Sequence, residues 1–89
     1  MIQEKVTIIN KLGLHARAAA KFVGTSGRFS SSIKVAKGSQ QVDGKSIMAV
    51  MMLAASKGTE LELMIEGSDE QEAFEAIKTL IDDYFGEGE

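Results

Sequence analysis

The chain has 89 residues with no cysteine, one histidine, and thirteen acidic against ten basic residues, a formal charge of −3. That length supports one core and one domain over residues 1–89; the missing cysteines exclude disulfide and thiolate chemistry, and a single histidine excludes a structural zinc site, so no metal or cofactor is expected. The acidic balance argues against nucleic acid and for proteins with basic surfaces as partners, and neither a signal-like N-terminus nor a run near the roughly 20 apolar residues of a membrane span is present, which predicts a cytoplasmic protein with no membrane insertion.

Taken in chain order, the β-branched run Val6-Thr-Ile-Ile9 predicts a first strand over Ile2–Ile9, closed by Asn10-Lys-Leu-Gly13. Ala16, Ala19, Ala20 and Val23 recur at helical spacing, with Arg17 and Lys21 four apart on another face. They predict a helix that begins at His15 and ends near Gly24 and Gly27. Ile33 and Val35 alternate with polar neighbours through Ser32–Lys37, and Lys37-Gly-Ser39 turns the chain into a short third strand ending at Val42.

Ser46 is placed to cap a second helix carrying Ile47, Met48, Val50, Met51 and Leu53. Val50, Leu53 and one methionine are expected in the core. Glu60–Glu66 puts Leu61, Leu63 and Ile65 on one face and Glu60, Glu62 and Glu66 on the other, a half-buried strand. Ser68-Asp-Glu-Gln71 has the form of a capping box, followed at helical spacing by Ala73, Phe74, Ile77, Leu80, Ile81 and Tyr84. The last residues, Gly86-Glu-Gly-Glu89, read as a frayed acidic tail. The order β-α-β-β-α-β-α predicts an α+β fold. It is a two-layer open-faced β-sandwich in which three helices cover one face of a four-stranded, mostly antiparallel sheet.

Chemistry concentrates in Asn10-Lys-Leu-Gly-Leu-His15-Ala-Arg17, where strand gives way to helix. The first N–H groups of a helix lack intrahelical partners and, with the positive end of the dipole, form an anion site. His15 there would supply a nucleophile, and Arg17 with the N–H groups of Ala16, Arg17 and Ala18 the counter-charge and donors. Histidine suits a reversible relay, because its ordinary pKa of about 6.5 leaves a ring nitrogen free near neutrality. Ile47, Met48, Met51 and Met52 cannot all face inward on so short a helix, and adaptable methionine suits a surface that must fit several partners. Ala20, Ile47, Met48 and Met51 are therefore candidates for partner docking. Ser46 beside them reads first as an ordinary N-cap, and second as a modification site.

The segment Asn10-Lys-Leu-Gly-Leu-His-Ala-Arg-Ala-Ala-Ala-Lys-Phe22, with Gly44-Lys-Ser-Ile-Met48 downstream, resembles the HPr family over essentially the whole chain. These are histidine phosphocarriers of the bacterial phosphoenolpyruvate-dependent phosphotransferase system. The resemblance implies that His15 takes a phosphoryl group from phosphorylated Enzyme I as a pros-phosphohistidine (on Nδ1) and passes it to Enzyme IIA proteins, assisted by Arg17. It implies a monomeric carrier with no small-molecule turnover of its own, and regulatory phosphorylation of Ser46 by an HPr kinase/phosphorylase. The family pattern commonly has proline at position 18; Ala18 here keeps the helix and adds an N–H at its start. The alternatives are a nitrogen-branch regulatory phosphocarrier, a regulatory interaction module read through Ser46 with His15 idle, and a small ligand-binding domain.

Overall fold

In the computed structural model, which describes residues 1–89, the first strand β1 (Ile2–Thr7) lies antiparallel to the strand nearest the C-terminus, β4 (Glu60–Glu66). Their register sets Val6 opposite Leu61 and Ile2 opposite Ile65. On its other side β4 pairs with β2 (Ser32–Lys37), Val35 opposite Leu63, and β2 pairs with the short β3 (Gln40–Asp43). The sheet order is β1-β4-β2-β3, and all three pairings are antiparallel. Period-2 alternation buries Val6, Ile33, Val35, Leu61, Leu63 and Ile65 on one face and leaves Lys5, Lys34 and Glu60 exposed on the other. The predicted first strand was two residues too long. Ile8 is buried but bonds to the Gly58–Thr59 turn, because the neighbouring chain has already reversed there.

Three helices, α1 (Ala16–Ser26), α2 (Ile47–Met52) and α3 (Glu70–Asp82), cover the apolar face. The spacing of Ala16, Ala19, Ala20 and Val23 marks the helix but not its inward face. Ala18, Ala19, Phe22 and Ser26 are buried, whereas Ala16 and Ala20 are exposed. Phe22 is the largest side chain of the helix, and seating it in the core rotates the buried stripe by one residue from the spacing of Ala16, Ala19, Ala20 and Val23. Gly24 lies inside the helix, and Gly27 is its C-cap. In α2 only Val50 is fully buried, with Leu53 just beyond; none of its methionines enters the core, contrary to expectation. A helix of six residues offers one inward turn, and Lys37 Nζ closes its end by donating to the Leu53 carbonyl at 3.0 Å.

The capping box predicted at Ser68 does not form. The N-cap of α3 is Asp69, and its carboxylate turns away to accept from the backbone N–H of Ser30 (2.8 Å) and Ser31 (2.9 Å) and from the Ser31 hydroxyl. Ser31 is buried, so its donors need an acceptor, and three bonds to one carboxylate outweigh one cap bond. From α3, Ala73, Ile77 and Ile81 enter the core at four-residue spacing. Tyr84, predicted to continue that stripe, lies past the helix end and is exposed. The backbone goes left-handed at Tyr84 (φ 58°), Phe85 (φ 53°) and Gly86 (φ 76°), and this reversal drives Phe85 into the core instead. No helix is long and apolar enough to cross a membrane.

Candidate functional site

The turn before α1 is fixed from below. Leu14 is buried and its N–H donates to the Ala55 carbonyl at 2.8 Å. Gly13 has φ +69°, and a Cβ there would run into the backbone of Ala55 and Ser56, so only glycine fits. Asn10 is fully buried, and its Nδ2 donates to the Gly13 carbonyl at 2.8 Å and to Glu87 Oε1 at 2.9 Å.

His15 follows as the N-cap of α1, in extended backbone, with its side chain making no cap bond. The first helical hydrogen bond is Ala19 N–H to the His15 carbonyl, 2.8 Å; the N–H groups of Ala16, Arg17 and Ala18 have no backbone acceptor. The start of the helix therefore keeps unpaired donors, those of Ala16 and Arg17 on exposed residues and that of Ala18 on a buried one. Arg17 is exposed and takes part in no ion pair, so its guanidinium is free to follow a charge. A cavity of about 310 Å³ opens here between His15, Arg17, Lys21, Leu12 and the C-terminal residues Gly86, Glu87 and Glu89.

Those C-terminal residues correct the reading of a frayed tail. The Glu89 carbonyl accepts from Lys11 N–H at 3.0 Å, and the Phe85 carbonyl accepts from Lys21 Nζ at 2.6 Å. Glu87 Oε2 is hydrogen-bonded to His15 Nε2. The Asn10 amide chiefly holds the Glu87 carboxyl below the usual carboxylate range; burial opposes this, and the His15 bond and the charges of His15 and Lys21 add to it. Asn10, Lys21 and Glu87 were missed as site residues. The signal was the pair Tyr84-Phe85, aromatic anchors set just before the tail's glycines.

Ser46, half-buried at the start of α2, accepts from the Ala49 N–H at 3.4 Å, as its N-cap reading required. The side chain of the adjacent Lys45 is engaged elsewhere, its Nζ donating to the Phe29 carbonyl at 2.6 Å. Beyond Ser46, Ile47, Met48, Met51 and Met52 are all exposed, Met48 to 66% and Met52 to 69%. Ala20 is exposed on α1, which packs against α2. Ser46 shares no hydrogen bond with the His15 cluster.

Residues 2–83 match the family model described as the PTS HPr component phosphorylation site. The chain belongs to the HPr family. It is 60% identical over 86 residues to the phosphocarrier protein HPr of Pseudomonas aeruginosa, covering 96% of each chain. It is 55% identical over 89 residues to that of Neisseria meningitidis, covering 100% of each. The crystal structure of HPr-C-His from Thermoanaerobacter tengcongensis superposes with a TM-score of 0.94 at 48% identity, covering 98% of each chain. The four-stranded antiparallel sheet with helices on one face is the HPr-like arrangement. As a member of this family the chain is a phosphocarrier that relays a phosphoryl group from Enzyme I to Enzyme IIA, without turnover of a small molecule.

Proposed function

We propose that the phosphoryl group is carried on Nδ1 of His15. The observation that supports this most directly is the uncapped start of α1, with the His15 imidazole and the unpaired Arg17 guanidinium lining one cavity beside helix N–H groups that have no backbone acceptor. His15 Nε2 is occupied by Glu87, whereas Nδ1 makes no hydrogen bond and keeps its lone pair for attack. In the forward step Nδ1 bonds to phosphorus as the N–P bond of phosphorylated Enzyme I breaks, and that electron pair returns to the donor nitrogen. Transfer to Enzyme IIA repeats the step with the roles exchanged. Such a reaction needs positioning and charge neutralisation more than covalent assistance. Arg17 and the N–H groups of Ala16, Arg17 and Ala18 provide both.

Ala20, Ile47, Met48 and Met51 form the docking surface in this reading, with Enzyme I and Enzyme IIA engaged in turn by the same exposed side chains. Ser46 is the regulatory position, modified by an HPr kinase/phosphorylase. A phosphate there would sit at a helix start that tolerates negative charge, so it acts by repulsion at the docking surface and leaves the fold intact. The carrier is a cytoplasmic monomer whose residues 1–89 are one HPr domain, serving sugar uptake or its regulation.

The test is intact-mass measurement after incubation with phosphoenolpyruvate and Enzyme I, alongside the His15→Ala variant. One acid-labile phosphate on the native chain and none on the variant is expected. A phosphate that persists in the variant would overturn His15 as the carrier residue.

A further inference from the structure

The family match ends at residue 83, yet the six residues that follow are folded onto the His15 site. Their backbone is costly. Tyr84 and Phe85 are successive non-glycine residues at positive φ, a conformation that side chains with a Cβ rarely adopt. Strain of this kind persists only where surrounding contacts over-determine it, and here they do. Phe85 is fully buried, Lys21 holds its carbonyl at 2.6 Å, and Lys11 N–H holds the Glu89 carbonyl at 3.0 Å. Between these anchors the only side chain delivered to the imidazole is Glu87.

We propose that Glu87 is a positioning residue for phosphoryl transfer, its carboxylate keeping the His15 proton on Nε2 so that Nδ1 is the free nucleophile. This rests on His15 being the acceptor. An ionised carboxylate only accepts hydrogen bonds, so the ring nitrogen facing it must carry the proton, and a neutral imidazole has only one. Asn10 fixes which carboxylate oxygen meets the ring. Its Nδ2 reaches both Gly13 O and Glu87 Oε1, and rotating the amide would lose both bonds. Of the other charged groups around the ring, Lys21 is committed to the Phe85 carbonyl, while Arg17 and Glu89 line the cavity and make no hydrogen bond to the imidazole. When Nδ1 accepts the phosphoryl group, the proton stays on Nε2. The ring's new positive charge then faces a carboxylate. No proton has to enter or leave in either direction.

Glu87→Gln separates this role from packing. Asn10 Nδ2 would take the glutamine oxygen, which turns the glutamine NH₂ toward His15 and favours the Nδ1–H tautomer. The measurement is long-range ¹H–¹⁵N correlation of His15 in the full chain, at a pH where the ring is neutral, paired with the rate of phosphoryl uptake from Enzyme I. We expect Nε2–H in the native chain, a clear shift toward Nδ1–H in Glu87→Gln, and uptake slowed by at least about tenfold, since a wrong tautomer is far more damaging than that in catalytic triads. Glu87→Asp should restore both in part. The signals of Phe85 and of the Lys11 amide report whether the tail stays docked, and Glu87→Ala gives the ring with no partner. Identical ¹⁵N shifts and uptake rates in the native chain, Glu87→Gln and Glu87→Ala, with phosphate on His15 in all three, would overturn the role of Glu87 alone. Absence of phosphate from His15 in the native chain would overturn the carrier assignment with it.

Discussion

α1 and α2 begin in opposite ways. Ser46 folds its hydroxyl back onto the Ala49 N–H and satisfies the start of α2 from within, while His15 leaves the first three N–H groups of α1 open. An N-cap serine stabilises a helix by about 1 kcal/mol relative to alanine, so the start of α1 forgoes stability that one substitution could recover. What it retains instead is a set of unpaired N–H groups beside the cavity-lining His15 and Arg17. The difference shows what the proposed phosphate site requires of a helix terminus: a capping residue would quench the donors, and His15 in its place leaves them open.

The largest effect expected from breaking this contrast comes from His15→Ser, which gives α1 the cap that α2 already has. Phosphoryl transfer should vanish while stability rises by up to about 1 kcal/mol, offset by whatever the Glu87 contact contributed. Urea unfolding and a transfer assay on the same preparation check it, and a clear loss of stability would show that the open start of α1 is not a forfeited cap. Next is Arg17→Ala. Removing one donor to developing charge costs on the order of 10²-fold in rate in other transfer sites, and because Arg17 makes no ion pair the fold should not respond. Unchanged transfer would take Arg17 out of the mechanism.

Most of this architecture was legible in the sequence, and the parts that were not share a cause. β4 was read with its full extent because every residue alternates, and Ser46 was read as a cap because the N–H it accepts from, that of Ala49, is three residues away in the chain. Local pattern was sufficient there. The rest depended on partners distant in sequence. Asp69 was drawn off its own helix by Ser30 and Ser31, the inward face of α1 was decided by where Phe22 could sit, and the tail was ordered by Phe85, Lys11 and Lys21. The site divides along the same line. His15 and Arg17 follow from one contiguous motif, whereas Asn10 and Glu87, separated by 77 positions, meet only in the folded chain.

A smaller effect is expected at the other helix start. Ser46→Ala should cost about 0.5–1 kcal/mol, at the modest end for a cap because the bond is long at 3.4 Å. Ser46→Asp can keep a cap and so should hold the unfolding midpoint while weakening Enzyme I binding. Binding by Ser46→Asp equal to that of the native chain would remove the regulatory reading and leave α2 with an ordinary cap.

The smallest effect concerns the third helix start, where the cap residue serves another segment. Hydrogen bonds from Ser31 and Ser30 hold the Asp69 carboxyl below its ordinary value of 3.8, with some opposition from desolvation. A carboxyl depressed in the folded state binds its proton more readily when unfolded, so stability rises with pH across the interval between the two values. The contribution is complete at neutral pH, starts to fall as the pH drops through 3.8, and is gone below the folded-state value. Asp69→Asn removes the titration and also misplaces a donor. The two carboxylate oxygens accept from Ser30 N–H and Ser31 N–H separately, and an amide can meet only one of them with oxygen. The variant should therefore be less stable at neutral pH, and the gap to the native chain should narrow as the pH falls below 4. Unfolding midpoints taken across that range decide the matter: parallel curves would mean that Asp69 is a spectator, and that Ser31 is held by its surroundings without it.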